Sequence, residues 1–175
     1  MEVSDQFASE RSMYVSTAPQ DSHSVETYIH LLEKNHMDVY FRDPSICAEL
    51  NWITKIARSI YNSDTFLVFW SDHAIRSALQ KFEIQTALVM GKSIFICLLD
   101  ETRVPQPLVN LASFEADELV HDTEDIIDML KQPHLTTTAL PFDSIMHELH
   151  QIQATECHTV MNSAQNKYRE LGWIA

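Results

Sequence analysis

The sequence predicts an α/β domain, a parallel sheet of about five strands with helices on both faces, followed by a C-terminal helical extension. Apolar runs of strand length, such as residues 66–70 (Phe-Leu-Val-Phe-Trp) and 94–99, alternate with segments whose apolar residues recur every three or four positions. The chain has 175 residues, 45% hydrophobic and 21% charged, which suffices for one packed domain and argues against a disordered one. Parallel strands need crossover connections, and helical crossovers cover both sheet faces.

Residues 1–11 are polar, lack periodicity and read as a leader. Residues 13–16 form the first strand, ended by the turn signal Ala18-Pro19-Gln20-Asp21. Val25, Tyr28, Ile29 and Leu32 fall at helical spacing, with Ser22 or Ser24 as the N-cap. Residues 37–41 give a second strand closed by Asp43-Pro44, and Trp52, Ile53, Ile56, Ala57 and Ile60 give the next helix its apolar face. Residues 66–70 are the third strand; within it Trp70 alternates with Phe66 and Val68, so core packing is its expected role. A helix over 75–90 ends at Gly91, where a residue without Cβ accepts the left-handed turn that closes a helix. Residues 93–99 are the fourth strand and 118–120 a short fifth. Asp122-Thr123-Glu124 opens a last helix that runs through Leu130 and stops near Pro133. This order is that of a flavodoxin-like sandwich spanning residues 12–132.

Residues 133–141 interrupt the pattern as a linker. From 142 to 171 apolar residues recur at three- and four-residue steps, as in one amphipathic helix of about thirty residues or two shorter ones. Periodicity shows an apolar face but not its cover. The extension, 142–175, therefore packs either on its own domain or on another chain.

The formal charge is −13, from 12 basic and 25 acidic residues, a field that repels nucleic acid and anionic membrane surfaces. No apolar run is long enough to span a bilayer, and the acidic start Met1-Glu2-Val3-Ser4-Asp5 lacks the blocks of a signal peptide. Cys47, Cys97 and Cys157 are odd in number, widely spaced and free of any CxxC, as reduced thiols of a cytoplasmic protein are. The only glycines, Gly91 and Gly172, cannot make a Gly-rich phosphate loop. No metal is expected either. His147 and His150 are three apart with Glu148 directly after the first, not HExxH, and His158 has no cysteine or carboxylate arrangement beside it.

The segment from Ser77 to Leu88 carries the functional signal. It opens a helix just beyond the third strand, and in an open parallel sheet ligands bind outside the carboxyl ends of strands. Glu83 stands there, six residues after Ser77. A glutamate on a helix is most often a solvated surface group; its context separates this one.

That context resembles the TIR (Toll/interleukin-1 receptor) domain family over about residues 12–132. Tyr14-Val15-Ser16-Thr17-Ala18-Pro19-Gln20-Asp21 is similar to the family's opening strand, F-I-S-Y-S-x-x-D. Asp43 and Trp52 keep the spacing of its second loop, and Ser71 ends the third strand as the family's serine does. Ser77 and Glu83, then Thr86-Ala87-Leu88 and Gly91-Lys92, and finally Val104-Pro105 follow in the family's order. Leu50 replaces the glycine usual two residues before the second-loop aromatic, and Leu79 stands where a tryptophan often precedes the glutamate.

The resemblance to the NAD-cleaving branch implies an NAD nucleosidase, hydrolase or cyclase, that breaks the nicotinamide–ribose bond and yields ADP-ribose or a derivative in immune or antiphage defence. Glu83 would be catalytic, with Ser16, Thr17, Asp43, Trp52 and Ser77 as contacts to NAD, which is substrate rather than cofactor; no metal is called for. Ser77 also reads as a helix N-cap. The implied partners are further copies of the chain, through TIR–TIR contacts, and a downstream effector or sensor protein. The alternative is a non-catalytic TIR adaptor, favoured by Leu50 and Leu79. A nucleoside deoxyribosyltransferase-like enzyme, with similar glutamate chemistry, is a more distant one.

Overall fold

The computed structural model describes residues 11–42, 45–105 and 108–132. Strands β1 (Arg11–Ser16), β2 (Met37–Phe41), β3 (Thr65–Trp70), β4 (Ser93–Leu98) and β5 (Ala112–Glu115) form one parallel sheet in the order β2-β1-β3-β4-β5. Its central strands are largely apolar because both faces are covered; every residue of β3 is buried. Tyr14, Phe66, Val68, Trp70, Ile94 and Ile96 turn to one face, where Ile56 and Ile60 of α2 (Trp52–Asn62) and Phe82 and Ala87 of α4 (Ala78–Val89) meet them. Met13, Val15, Leu67, Phe69, Phe95 and Cys97 turn to the other. There α1 (Ser22–Lys34), α5 (Ala116–His121) and α6 (Thr123–Lys131) supply Val25, Leu32, Leu119, Ile127 and Leu130. Each large side chain so buried stabilises by about 1.5–3 kcal/mol before conformational entropy is subtracted.

Helix ends follow local chemistry. After α4, Gly91 takes φ 63°, and the bonds Lys92 N–H to Ala87 O (3.0 Å) and Gly91 N–H to Leu88 O (3.1 Å) make a Schellman close. In so glycine-poor a chain the equivalent turn after α1 falls to His36, at φ 62°. Trp70 is a core residue as expected, its indole N–H donating to Arg103 O at 3.3 Å. Cys47 and Cys97 are buried and form no disulfide, and burial, then Glu118, pushes the Cys97 thiol up to about 12.

Several expectations are corrected. The fifth strand is Ala112–Glu115, whereas 118–120 lie inside α5. Glu115 and Glu118 form a reciprocal capping box that starts a helix there, and β5 buries only Phe114, so its apolar signal is weak. The helix expected over 75–90 is two, α3 (Asp72–Arg76) and α4, separated by Ser77 in an extended conformation. The N-cap of α1 is Asp21 rather than Ser22 or Ser24. The first strand begins at Arg11, inside the expected leader. The extension at 142–175, with Cys157, His147, His150 and His158, lies outside the described residues.

Candidate active site

The strand order reverses between β1 and β3: α1 leaves β1 on one face, and α3 and α4 leave β3 on the other, so the carboxyl ends of these two strands form the switch point at which open α/β sheets bind ligands. Side chains alternate along a strand, so Tyr14 and Ser16 of β1 both turn toward α4. Tyr14 is held by a cross-strand aromatic ladder. Its ring stacks on Tyr40 of β2 at 5.2 Å and on Phe66 of β3 at 5.4 Å, the latter within 3° of parallel.

Ser77 interrupts the helix and restarts it, its hydroxyl accepting from Gln80 N–H at 3.2 Å. Within α4 only Lys81 and Gln85 are exposed, four residues apart on one face. Glu83 lies on the opposite side with no solvent exposure. The expectation of a solvated helix carboxylate is thereby excluded.

Three donors meet it. Tyr14 Oη donates to Oε1 at 2.6 Å and Ser16 Oγ to Oε2 at 2.6 Å. Arg42, nearly as buried, stands just beyond β2 and places Nη1 2.9 Å from Oε1 and 3.2 Å from Oε2. Its Nη2 donates to Thr17 O at 2.7 Å, so the guanidinium ties the end of β2 to the end of β1 over the carboxylate. Burial raises the pKa of Glu83 above the ordinary carboxylate value, against the opposing pull of Arg42 and then of the Ser16 and Tyr14 hydroxyls. Burial and the neighbouring carboxylate push Tyr14 well up, so its phenol stays a donor.

Of the residues expected to contact a ligand, Ser16 meets Glu83 directly. Thr17 joins through its carbonyl, while its hydroxyl turns to Ala18 O at 3.5 Å. Ser77 is a buried cap and is not among the donors to Glu83. Trp52 packs edge-on against Phe82 at 5.4 Å inside the core, a packing role. Asp43 lies outside the described residues. The sequence reading missed the roles of Tyr14, Arg42 and Gln80. Tyr14 was findable, since it shares a strand face with Ser16; Arg42 carried only the faint signal of a cation at the end of an edge strand.

Gln80 spans the ends of β1 and β3. Its Nε2 donates to Ser16 O at 3.1 Å and to Phe69 O at 2.9 Å, bridging β1 and β3. Near the same strand ends, Asp21 accepts from Ser71 Oγ at 2.5 Å and pairs with His73 Nδ1 at 2.7 Å. Ser71 also caps α3 by accepting from Ala74 N–H, so its hydroxyl both donates and accepts. A cleft of about 530 Å³ opens farther along the sheet edge, lined by residues 98–104, Ser113 and residues 115–117 among others, and does not include Glu83. No group of three or more His, Cys, Asp or Glu suited to a metal ion occurs among the described residues. Nor is any helix among them long and apolar enough to cross a membrane.

The TIR domain family model matches residues 13–131, and the chain belongs to that family. Among solved structures it is similar to the TIR domain of the Toll-related receptor TRR-2 from Hydra magnipapillata, with a TM-score of 0.58 and 18% identity, covering 69% of this chain and 98% of that one. It is also similar to the CMP N-glycosidase BcmB of Clostridium botulinum, with a TM-score of 0.46 and 21% identity over 66% of this chain and 98% of that one. No curated protein matches it in sequence.

Proposed function

We propose that this TIR domain cleaves NAD at the nicotinamide–ribose bond, with Glu83 as the catalytic carboxylate. The observation that supports it is a wholly buried glutamate, oriented by Tyr14 and Ser16, with a planar delocalised cation, the Arg42 guanidinium, seated against both its oxygens. A carboxylate arranged for one planar cation suits another, the oxocarbenium-like transition state of N-glycosidic cleavage. In the reaction the C1′–N bond breaks, its electron pair passes to the pyridinium nitrogen, and nicotinamide leaves neutral, so no general acid is required. Water then bonds to C1′ and gives up a proton to yield ADP-ribose; an internal nucleophile gives a cyclic product instead. NAD reaches Glu83 only as Arg42 withdraws. We assign the activity to an assembly of copies in the cytoplasm, in immune or antiphage signalling, as the family likeness implies.

The test is nicotinamide release from NAD by pure protein over a range of high protein concentrations. We expect Glu83→Gln to abolish it; a variant that retains most of the turnover overturns the assignment. A second reading, a TIR module that acts only through TIR–TIR contacts, is favoured by the closed Arg42–Glu83 pair, which has the form of a structural ion pair, and by Leu50, which stands fully exposed before α2. That reading expects concentration-dependent association without nicotinamide release at any concentration.

A further inference from the structure

We infer that Gln80 is the second ribose-binding acceptor of this site, and that with Glu83 it selects a ribosyl group carrying both free hydroxyls; this rests on the reading of Glu83 as the group that meets the ribose. Gln80 is completely buried. Both hydrogens of its amide point at main-chain carbonyls, Ser16 O and Phe69 O, which accept and cannot donate. The orientation of the amide is therefore fixed, and a flip would set one oxygen against two others. What remains is Oε1, a buried acceptor that receives no hydrogen bond from any described residue.

An unmet buried acceptor costs about 1–3 kcal/mol, and natural folds keep such groups chiefly where something else completes them. Its location says what that is. Gln80 and Glu83 stand three residues apart on one face of α4, over the carboxyl ends of the two strands between which the sheet order reverses. Both converge on Ser16, Gln80 through the carbonyl and Glu83 through the hydroxyl. One face of α4 thus carries a neutral acceptor and, three residues on, an anionic one, with no donor left over on Gln80. Two adjacent acceptors fit two adjacent donors, the vicinal diol of a ribose. Arg42 closes on Glu83 and on Thr17 O beside it, and in this proposal the withdrawal that frees Glu83 also admits the diol to Gln80.

The experiment compares NAD with its 2′-deoxy and 3′-deoxy analogues in the nicotinamide ribose, on the unaltered chain and on Gln80→Met. On the unaltered chain each analogue should lose roughly 100-fold in kcat/KM, because each strands one buried acceptor. In Gln80→Met the discrimination at one hydroxyl should collapse to within about 3-fold while that at the other, held by Glu83, persists. An unaltered chain that accepts either analogue as well as NAD overturns the pairing, with no variant needed. A Gln80→Met chain slowed equally on all three substrates makes Gln80 a structural bridge only, and also overturns it. Calorimetry with ADP-ribose and its two deoxy forms separates this inference from the cleavage reading. Binding that weakens on removal of either hydroxyl, without any nicotinamide release, sinks the cleavage and keeps Gln80. Absence of ribosyl binding sinks the Gln80 assignment.

Discussion

Glu83 sits where burial and hydrogen bonding oppose each other. An unpartnered carboxylate in a protein interior gives up its charge, since removing the ion from water costs several kcal/mol. Three donors hold this one, yet burial still prevails and the carboxyl titrates above an ordinary glutamate. The native state then binds that proton more tightly than the unfolded chain does. The stability this group contributes is present below the unfolded value of about 4.3 and is lost as pH rises through the raised native one. Cleavage requires the ionised form and runs the other way. NAD cleavage should therefore climb, and Tm decline, across one shared window above pH of about 4.3, and Glu83→Gln should flatten the Tm trend there. An activity midpoint at or below the ordinary glutamate value contradicts this. Glu83→Gln also leaves the Arg42 guanidinium buried without its counter-charge, and Arg42→Gln does the same to the carboxylate. Each single change should cost about 3–5 kcal/mol, with much of it restored in the double variant. Urea unfolding of the four proteins reads the coupling, and a value near zero would mean that Arg42 simply turns out to solvent. Arg42 was illegible in the sequence because its partner lies 41 residues away, across two crossovers. Ser16 and Glu83 were legible because the family pattern holds both.

At the scale of elements, β1 does more than fill the core. The stack Tyr40–Tyr14–Phe66 fixes the Tyr14 ring across three strands, so the phenol oxygen reaches Glu83 without a side chain having to be ordered for it. Tyr14→Phe keeps that stack and removes one donor. Because the Tyr14 hydrogen bond lowers the Glu83 pKa, its loss should move the activity midpoint to higher pH and cut turnover about 10-fold at a fixed acid pH, while stability changes by about 1 kcal/mol. An unmoved midpoint would deny Tyr14 its role on Glu83. The elements themselves were largely legible, since long apolar runs and helical periods announce buried strands and their covering helices. The misses are short-range. Ser77 breaks a helix whose apolar period runs on past it, and β5 is four residues with one buried side chain, too little pattern to outweigh the adjacent apolar segment 118–120. His36 shows another local effect. A left-handed residue with a Cβ is strained by about 1–2 kcal/mol, so His36→Gly should gain up to about 1 kcal/mol in thermal unfolding after glycine's greater chain entropy is subtracted. A loss of stability would mean that the His36 side chain earns its place.

For the whole molecule, the question is what the described domain still needs. Both sheet faces are already covered, one by α2 and α4 and the other by α1, α5 and α6, and the two buried clusters between them hold the large apolar side chains of β1, β3 and β4. A parallel sheet so enclosed requires no further layer. A chain ending at Pro133 should therefore fold, with a cooperative thermal transition. For the apolar period over 142–171, which lies outside the described residues, we propose a part in self-association or in docking on a partner. A formal charge of −13 opposes that association through mutual repulsion, which salt screens within a Debye length of about 10 Å at 0.1 M and about 3 Å at 1 M. Light scattering on the full and shortened chains, across protein concentration at low and high salt, reads the effect. The full chain should associate more strongly as salt rises, and the shortened chain should stay folded and dissociated at both. If the shortened chain assembles as the full one does, association belongs to the TIR domain alone. If it precipitates without a cooperative transition, residues 142–171 complete the domain's own core.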